Sequence, residues 1–482
     1  MSVQCTHPGS VVNQLTLTVT EQCNQRCDYC YVDVSRGRTM TLDVAERALN
    51  LLFQTAPAGA PVAVSFFGGE PLLVPDLLRR IAARAHELAG PDRPVRFAIT
   101  TNGSAVDAEG MALLRELDMN VAVSHDGAGQ VARPLASGGD SLPDLRARLP
   151  RLLGLKRSPL ARMTVTPQNV SRLAESVREV HGEGFERILF LPAIEARWNA
   201  DALSAWKRQN ERLVTWLVGR YNAGRTGPDL PAWRGILGLL RGDVQRKHCG
   251  AGHTQLTVAV DGRIYPCYRS VYDPRGDALV LGDVWSGLHE TDARTLWRTL
   301  DPARPQPEAS SCDECSARDG CGFFCPALGH LMLGDAAAVP AAACALTRIQ
   351  VAACRKLLHL TARTGRRRGR RRWMAAAMAA ALLGGGAACD RNSVGGVGDA
   401  GIDGTIGPGV CPVRIDSGAD DGSIRDTGVV DAALYDATIG PGLCPVEMDA
   451  GWLNDAHIGP GQCPFIPDAG DPSDSGITPG IC

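Results

Sequence analysis

Several features are scarce or missing in this chain of 482 residues. Aromatic residues make up only 5% of it, and no N-terminal secretory signal stands before the first strand-like run. No apolar run reaches the roughly 20 residues that span a bilayer, so we expect no membrane-spanning helix. The chain holds 17 cysteines. The missing signal predicts a reducing, cytoplasmic compartment, in which cysteines at short fixed spacings serve as metal or cluster ligands rather than in disulfides.

Basic residues are almost missing from the last 93 residues. Residues 390–482 hold three Arg and no Lys against fourteen Asp and one Glu, a net charge of −12. The 389 residues before them hold 47 basic and 37 acidic side chains, a net of +10, so the formal total of −2 conceals two unlike parts. A Gly-, Pro- and Asp-rich segment buries too little apolar surface to fold alone. We therefore predict a disordered tail over 390–482.

Short β-branched runs alternate with amphipathic segments through the first 200 residues. Six such units predict an α/β fold with a parallel sheet, and their length favours a partial (βα)6 barrel of the TIM type over an open sheet, which periodicity does not exclude. The predicted strands are Gln14–Thr20, Val62–Phe67, Val95–Thr100, Asn120–Ser124, Arg162–Thr166 and Arg187–Leu191. The predicted helices are Leu42–Gln54 with Thr41 as its cap, Pro75–Leu88, Ala108–Leu117, Leu142–Leu153, Val170–Glu183 and Ala200–Tyr221.

The composition divides the chain into five parts. With 44% hydrophobic residues it can bury a large core, which excludes a wholly disordered or fibrous protein, but the region of about 247–346 is too irregular to hold much of that core. The predicted parts are an N-terminal extension (1–11), a core barrel (12–221), a small irregular domain closed by a helix at Ile349–Ala362 (222–362), a linker (363–389) and the tail (390–482).

The linker carries seven Arg, an Ala-rich stretch and Cys389. The order basic, apolar, small, cysteine is typical of a bacterial export signal that ends in a lipid-modified cysteine. The alternative is a basic solvated linker followed by an Ala-rich helix. Membrane contact, and export or lipid anchoring of the tail, are expected only in the first case.

Three cysteines follow the first predicted strand at close spacing, Cys23, Cys27 and Cys30. The carboxyl-terminal rim of a βα barrel is where active sites are built. Three thiolates can hold three irons of a four-iron cluster and leave the fourth iron open. Zinc is the alternative, although structural zinc sites usually draw paired Cys or His ligands.

This triplet and three motifs at later strand ends resemble the radical S-adenosylmethionine (SAM) superfamily over about residues 12 to 345. The resemblance implies a 4Fe–4S cluster on the triplet, reductive cleavage of SAM at the open iron, and hydrogen abstraction by a 5′-deoxyadenosyl radical. It implies contacts to the SAM amino group from the motif Gly68, Gly69, Glu70 and Pro71, and further cofactor contacts from Asn102, Ser124 and Asp126.

Three further side chains are candidates for binding SAM. Tyr29 is expected either to pack near the adenine or to pack on the barrel rim. Arg133 and Arg162 are candidates for the SAM carboxylate, because a guanidinium fork matches a carboxylate, and the alternative for each is a structural arginine.

Seven further cysteines follow in the irregular region: Cys249, Cys267, Cys312, Cys315, Cys321, Cys325 and Cys344. Their spacing resembles that of the SPASM domain, the auxiliary-cluster extension of peptide-modifying radical SAM enzymes. The resemblance implies two auxiliary iron–sulfur clusters, and the first would lack one protein ligand, which a substrate group or Cys354 would supply. A zinc-ribbon-like domain is the alternative. The first cluster would be held by Cys249, Cys267 and Cys325, and the second by Cys312, Cys315, Cys321 and Cys344.

One residue narrows the predicted function. Sulfatase-maturing relatives place an Asp directly after the cysteine that corresponds to Cys267, and this chain has Tyr268. A phenol, with an ordinary pKa near 10, is a poor base at neutral pH. Formation of formylglycine is therefore disfavoured but stays an alternative, as does a non-catalytic iron–sulfur electron carrier.

The tail repeats the pattern Ile-Gly-Pro-Gly-x-Cys-Pro, with a truncated last copy. One hypothesis is that the tail is the enzyme's own peptide substrate, in which thioether or related crosslinks form, because a tether raises the local substrate concentration. The other is an exported peptide joined by gene fusion. A reduced flavodoxin or ferredoxin-like donor is expected as electron source, and no nucleic acid is expected. The repeat cysteines are Cys411, Cys444, Cys463 and Cys482.

Overall fold

The computed structural model describes residues 12–244, 249–273, 276–289, 306–307, 312–322 and 325–367. The predicted N-terminal extension (1–11), the part of the linker from 368 onward and the tail with its four repeat cysteines lie outside the described residues.

Six parallel strands and the helices between them form the first part of the chain, as predicted. Strands β1 and β4 and helix α4 have the predicted bounds, and Thr41 caps α1 by accepting a hydrogen bond from the Val44 N–H. The strands are β1 (Gln14–Thr20), β2 (Val62–Gly68), β3 (Val95–Thr101), β4 (Asn120–Ser124), β5 (Leu160–Val165) and β6 (Arg187–Pro192). The helices are α1 (Leu42–Thr55), α2 (Pro75–Ala89), α3 (Ala108–Glu116), α4 (Leu142–Leu153), α5 (Leu173–Gly182) and α6 (Ala200–Asn222).

The parallel order β1 to β6 is that of a partial βα barrel, and the sheet continues on the other side of β1. There β7 (Gln255–Val258) pairs parallel with β1, and β8 (Arg263–Tyr265), β9 (Gly282–Asp283) and β10 (Gly287–Leu288) follow in antiparallel order. The strands that precede and follow Cys267 thus belong to the same ten-stranded sheet as the barrel. A separate pair joins β11 (Gln306–Pro307) to β12 (Ala338–Val339).

Three helices complete the described fold: α7 (Pro231–Arg241), α8 (Pro326–Leu333) and α9 (Ala341–Arg367). Helix α7 is absent from the sequence prediction, although Pro231 at its first turn and the left-handed Gly242 after its end are typical helix boundaries. Helix α9 begins eight residues before the predicted closing helix, because the Ala-rich residues 341–345 are strong helix formers.

Large buried side chains tie α6 and α9 to the barrel. Trp206 on α6 is fully buried, its ring meets Phe190 of β6 edge to face, and its indole N–H donates to the Leu346 carbonyl in α9 at 3.2 Å. The closing helix therefore packs on the main hydrophobic core. Within the described residues, no helix is both long and apolar enough to cross a bilayer.

Candidate functional site

The predicted cluster cysteines lie on the loop that follows β1. Cys23 and Cys27 are half-buried and Cys30 is exposed. Burial raises the pKa of the Cys23 thiol to about 12, and the neighbouring Cys27 and Cys30 contribute to the rise. The pKa of Cys27 is also raised, chiefly by burial. Three grouped thiols that ionise poorly alone become thiolates when a metal centre binds, with release of protons.

Two glycines hold the backbone after β2 against this loop. Gly68 has a φ of +133°, a conformation that side chains rarely adopt, and a Cβ on Gly69 would lie 2.1 Å from the Gln22 carbonyl oxygen. At this close approach the Gly69 N–H donates to the Thr20 carbonyl at 2.7 Å and the Glu70 N–H to the Gln22 carbonyl at 2.8 Å. The motif predicted to contact SAM therefore also fixes the cysteine loop.

Glu70 joins the ends of β2 and β3 through its fully buried carboxylate. It accepts hydrogen bonds from the Leu72 N–H at 3.0 Å, the Thr101 hydroxyl at 2.8 Å and the Asn102 N–H at 2.7 Å. Burial raises the pKa of Glu70 to about 7, against the opposing effect of these three donors. Pro71 is buried directly behind it and begins a single turn of 3-10 helix.

Asn102 links this carboxylate to the cysteine loop. Its side-chain amide donates to the Asn24 side-chain oxygen at 2.7 Å, and its Nδ2 lies 3.9 Å from the Cys23 sulfur. Gln25 lies on the same loop, and its buried side chain donates to the Ser104 hydroxyl at 3.1 Å. The loop that carries the three thiols is thus fixed from its backbone and from its side chains.

Asp126 follows the end of β4 and binds several neighbouring groups. Its buried carboxylate accepts from Arg133 at 2.8 and 3.2 Å, from the Thr164 N–H at 2.8 Å and from the Tyr29 hydroxyl. The Arg133 guanidinium lies over the Tyr29 ring, 5.1 Å from its centroid, and 4.0 Å from the Cys27 sulfur. Arg133 already binds a carboxylate of the chain itself, and Tyr29 packs at the rim, so both side chains have structural partners here.

Arg162 lies on β5 and contacts Tyr268. In the register of the sheet it stands beside Ser124, which ends β4 and is nearly buried. Its Nη2 donates to the Tyr268 hydroxyl at 2.9 Å, and the guanidinium lies 5.7 Å from the centre of the Tyr268 ring. Its Nη1 is inaccessible to water and has no hydrogen-bond partner within the described part of the chain.

Sequence reasoning missed an aromatic cluster around Tyr268. The rings of Tyr31, Phe67 and Tyr268 pack together, with centroids 4.6 to 6.3 Å apart. Arg269 lies 5.5 Å from the centre of the Tyr31 ring and donates to Glu195 at 3.2 Å. Tyr31 directly follows Cys30, and Tyr268 directly follows Cys267, so the cluster joins the two cysteine regions. The position of each tyrosine directly after a predicted cluster cysteine was the one sign of this aromatic cluster in the sequence.

The cysteines of the C-terminal part fall into two groups. Burial first, and then the thiols of Cys325 and Cys249, raise the pKa of Cys267, which reaches about 12. The pKa of Cys344 is raised by burial and by Cys321, Cys312 and Cys315. These are the two sets that the resemblance to SPASM domains assigns to separate clusters.

Cys354 stands apart from both groups. It is fully buried on α9, and burial alone raises its pKa well above the ordinary value. Among the described cysteines, Cys249, Cys267 and Cys325 therefore form a set of three that does not include Cys354.

The donor chemistry fits iron–sulfur clusters. Nowhere in the described ranges do three His, Cys, Asp or Glu side chains gather closely enough to share one metal ion. Thiolates on separate irons of a cluster lie farther apart than thiolates that share one ion. Grouped cysteine thiolates are the usual ligands of such clusters.

Residues 17–180 match the model of the Radical SAM superfamily. The matched segment is about a third of the chain. Proteins of that family bind a 4Fe–4S cluster and SAM.

Related sequences come from archaea and bacteria. An uncharacterized protein of Methanocaldococcus jannaschii is 28% identical over 182 residues, which are 37% of this chain and 62% of that protein. The chain therefore spans less than two thirds of that relative's length. A GTP 3′,8-cyclase of Rhodococcus opacus is 27% identical over 311 residues, which are 60% of this chain and 83% of the cyclase.

Solved structures share the fold. The structure of anSMEcpe with bound AdoMet aligns with a TM-score of 0.61 at 17% identity, covering 73% of this chain and 99% of that one. The complex of anSMEcpe with AdoMet and the Cp18Cys peptide gives a TM-score of 0.58 at 17% identity, with the same coverage. At this identity the likeness concerns the fold alone.

Replacing Gly69 with Ala tests the contact between its backbone and the cysteine loop. Because the new methyl group would overlap the Gln22 carbonyl, we expect Gly69→Ala to lower the free energy of unfolding by about 1–3 kcal/mol and to reduce iron loading. Gly182→Ala is the matched control, since a Cβ there meets nothing within 4 Å. For each variant, urea unfolding measures the free energy of unfolding, and iron analysis after anaerobic reconstitution measures the iron loading. Equal behaviour of the two variants would contradict the proposed contact.

The raised pKa of Glu70 predicts a pH dependence of stability. The folded protein holds the Glu70 proton up to about pH 7, whereas the unfolded chain releases it near pH 4.5. The protonated Glu70 therefore contributes to the free energy of unfolding at low pH. This contribution, up to roughly 3 kcal/mol, is lost as the pH rises from 4.5 to about 7. We expect Glu70→Gln to flatten the curve of unfolding free energy against pH from 4.5 to 7. Glu87→Gln, on the exposed face of α2, is expected to leave the curve unchanged, and an unchanged curve in Glu70→Gln would refute the assignment.

Proposed function

We propose that this chain is a radical SAM enzyme that modifies a peptide, and that the repeats of its own tail are the substrate. The observation that carries the proposal is the grouping of seven C-terminal cysteines into a set of three and a set of four. The set of three leaves one position for a group from outside the set. A structural neighbour binds the Cp18Cys peptide beside AdoMet, which supports a peptide substrate.

In this proposal Cys23, Cys27 and Cys30 hold the cluster that binds SAM, and the two C-terminal groups hold auxiliary clusters. When bound, the first cluster and SAM supply a 5′-deoxyadenosyl radical that abstracts hydrogen from carbon. The chain's own residues position these groups. Gly69 and Glu70 fix the cysteine loop, and Asp126 holds Arg133 against the ring of Tyr29.

The aromatic cluster separates the reacting region from water. Tyr31, Phe67 and Tyr268 stack between the loop of the triplet and Cys267, and Phe67 and Tyr268 are both only 9% exposed. A closed apolar wall protects a carbon radical from quenching and strengthens polar contacts inside the site. Cys249, Cys267 and Cys325 would hold the first auxiliary cluster, and a repeat cysteine of the tail would be its ligand from outside this set.

A nucleotide substrate is the second candidate. The similarity to GTP 3′,8-cyclases over 311 residues favours it. The two candidates predict different outcomes. A nucleotide substrate predicts consumption of GTP, and a peptide substrate predicts loss of hydrogen from the tail.

Mass spectrometry of the reconstituted full chain tests the proposal. After anaerobic incubation with SAM and dithionite, we expect 5′-deoxyadenosine and a tail that is lighter by two hydrogen atoms for each crosslink formed. The modified residues should include Cys411, Cys444 or Cys463. The variant with all four repeat cysteines changed to Ser is the control, and its tail should keep its mass.

Two outcomes would contradict the proposal. One is SAM cleavage beside a tail of unchanged mass in the full chain. The other is consumption of added GTP together with an unmodified tail, which would establish the nucleotide candidate instead.

A further inference from the structure

One positive charge in the aromatic cluster has no negative partner. Arg162 and Arg269 both lie against it, and an arginine side chain stays protonated in proteins. Arg269 pairs with Glu195 at 3.2 Å. Within the described part of the chain, Arg162 forms no ion pair, and its hydrogen-bond acceptor is the neutral phenol of Tyr268 at 2.9 Å.

The unused donors of these two arginines are buried. Arg162 Nη1 and Arg269 Nε are both inaccessible to water, and neither has a hydrogen-bond partner among the residues that the structure describes. Leaving a donor of a charged group buried and unpaired is costly, so such groups are normally paired with an anion or an acceptor. Two unpaired guanidinium N–H groups beside one ring system suit a carboxylate, which accepts at both oxygens.

The tail offers a carboxylate at a constant position. In each of the three complete repeats an aspartate stands five residues after the cysteine: Asp416 after Cys411, Asp449 after Cys444 and Asp468 after Cys463. Of the four residues between, the first is proline in every copy, the second is Val in two copies and Phe in the third, and the other two differ in all three. Five residues span at most about 18 Å, which suits two binding points within one active site.

We propose that Arg162, with Arg269 and the Tyr268 hydroxyl, forms a subsite for the carboxylate of this repeated aspartate. This inference rests on the proposed function, because it takes the tail repeat as the substrate. The aspartate would anchor the repeat at the aromatic cluster and so select which residue near the cysteine faces the radical. Sequences with a cysteine but no acidic residue five positions later would bind poorly.

A double-mutant cycle between enzyme and peptide tests the subsite. The enzyme is the reconstituted full chain with Asp416, Asp449 and Asp468 changed to Asn, so that its own repeats do not compete. The ligands are labelled peptides of residues 439–451, either native or with Asp449→Asn. A peptide with Glu447→Gln controls for general charge. Fluorescence anisotropy under anaerobic conditions gives the dissociation constants.

We expect Asp449→Asn to weaken binding roughly tenfold to a hundredfold, the usual range for losing a charge-assisted hydrogen bond, and Glu447→Gln to have little effect. In the Arg162→Gln enzyme the native and Asp449→Asn peptides should bind equally. Arg172→Gln, an exposed arginine paired with Glu175, is the matched enzyme control and should keep the full difference. A difference between the peptides that survives in Arg162→Gln, or that is missing in the parent enzyme, would overturn the subsite.

SAM binding measured without peptide separates the substrate role from a cofactor role. We expect Arg162→Gln to keep the SAM affinity of the parent enzyme. A large loss of SAM affinity would assign Arg162 to the cofactor carboxylate and overturn the proposal. Failure of both peptides to bind, together with an unmodified tail, would instead refute the proposed function on which the subsite rests.

Discussion

The position of β1 between β2 and β7 is the constraint on which the site depends. Leu15 of β1 stands opposite Val64 on one side and Leu256 on the other, so one buried strand links the barrel to the strands beside Cys267. The cysteine loop leaves the end of this strand. Because β2 and β7 are both fixed to β1 by backbone pairing, the rings of Tyr31 and Tyr268 meet although the two residues are 237 positions apart in the chain.

Buried carboxylates then set the shape of the rim. Glu70 accepts donors from two strand ends, and Asp126 holds Arg133, Tyr29 and the backbone of β5. These groups are nearly free of water contact, so each is stable only with its full set of donors. The rim is rigid for that reason. A rigid rim suits a reaction in which cofactor and substrate must be held while a radical forms.

Local patterns in the sequence predicted most of the barrel. Alternating β-branched residues gave β1 and β4 with their observed bounds, and the apolar spacing of α4 was equally clear. The parallel pairing of β7 with β1 joins segments more than 230 residues apart, and nothing in either segment specifies its partner. The same limit applies to side chains. Arg133 and Arg162 looked equivalent as carboxylate binders, and only the fold shows that one faces Asp126 and the other Tyr268.

The grouping of ten cysteines into one triplet, a set of three and a set of four is tested most directly by counting irons in cysteine variants of the full chain. After anaerobic reconstitution, the parent should hold about twelve irons in three four-iron clusters. Changing Cys23, Cys27 and Cys30 to Ala should leave about eight irons and abolish SAM cleavage. Changing Cys312, Cys315, Cys321 and Cys344 to Ala should also remove about four. A triplet variant that keeps the parent's iron, or a parent that binds zinc in place of iron, would contradict this grouping.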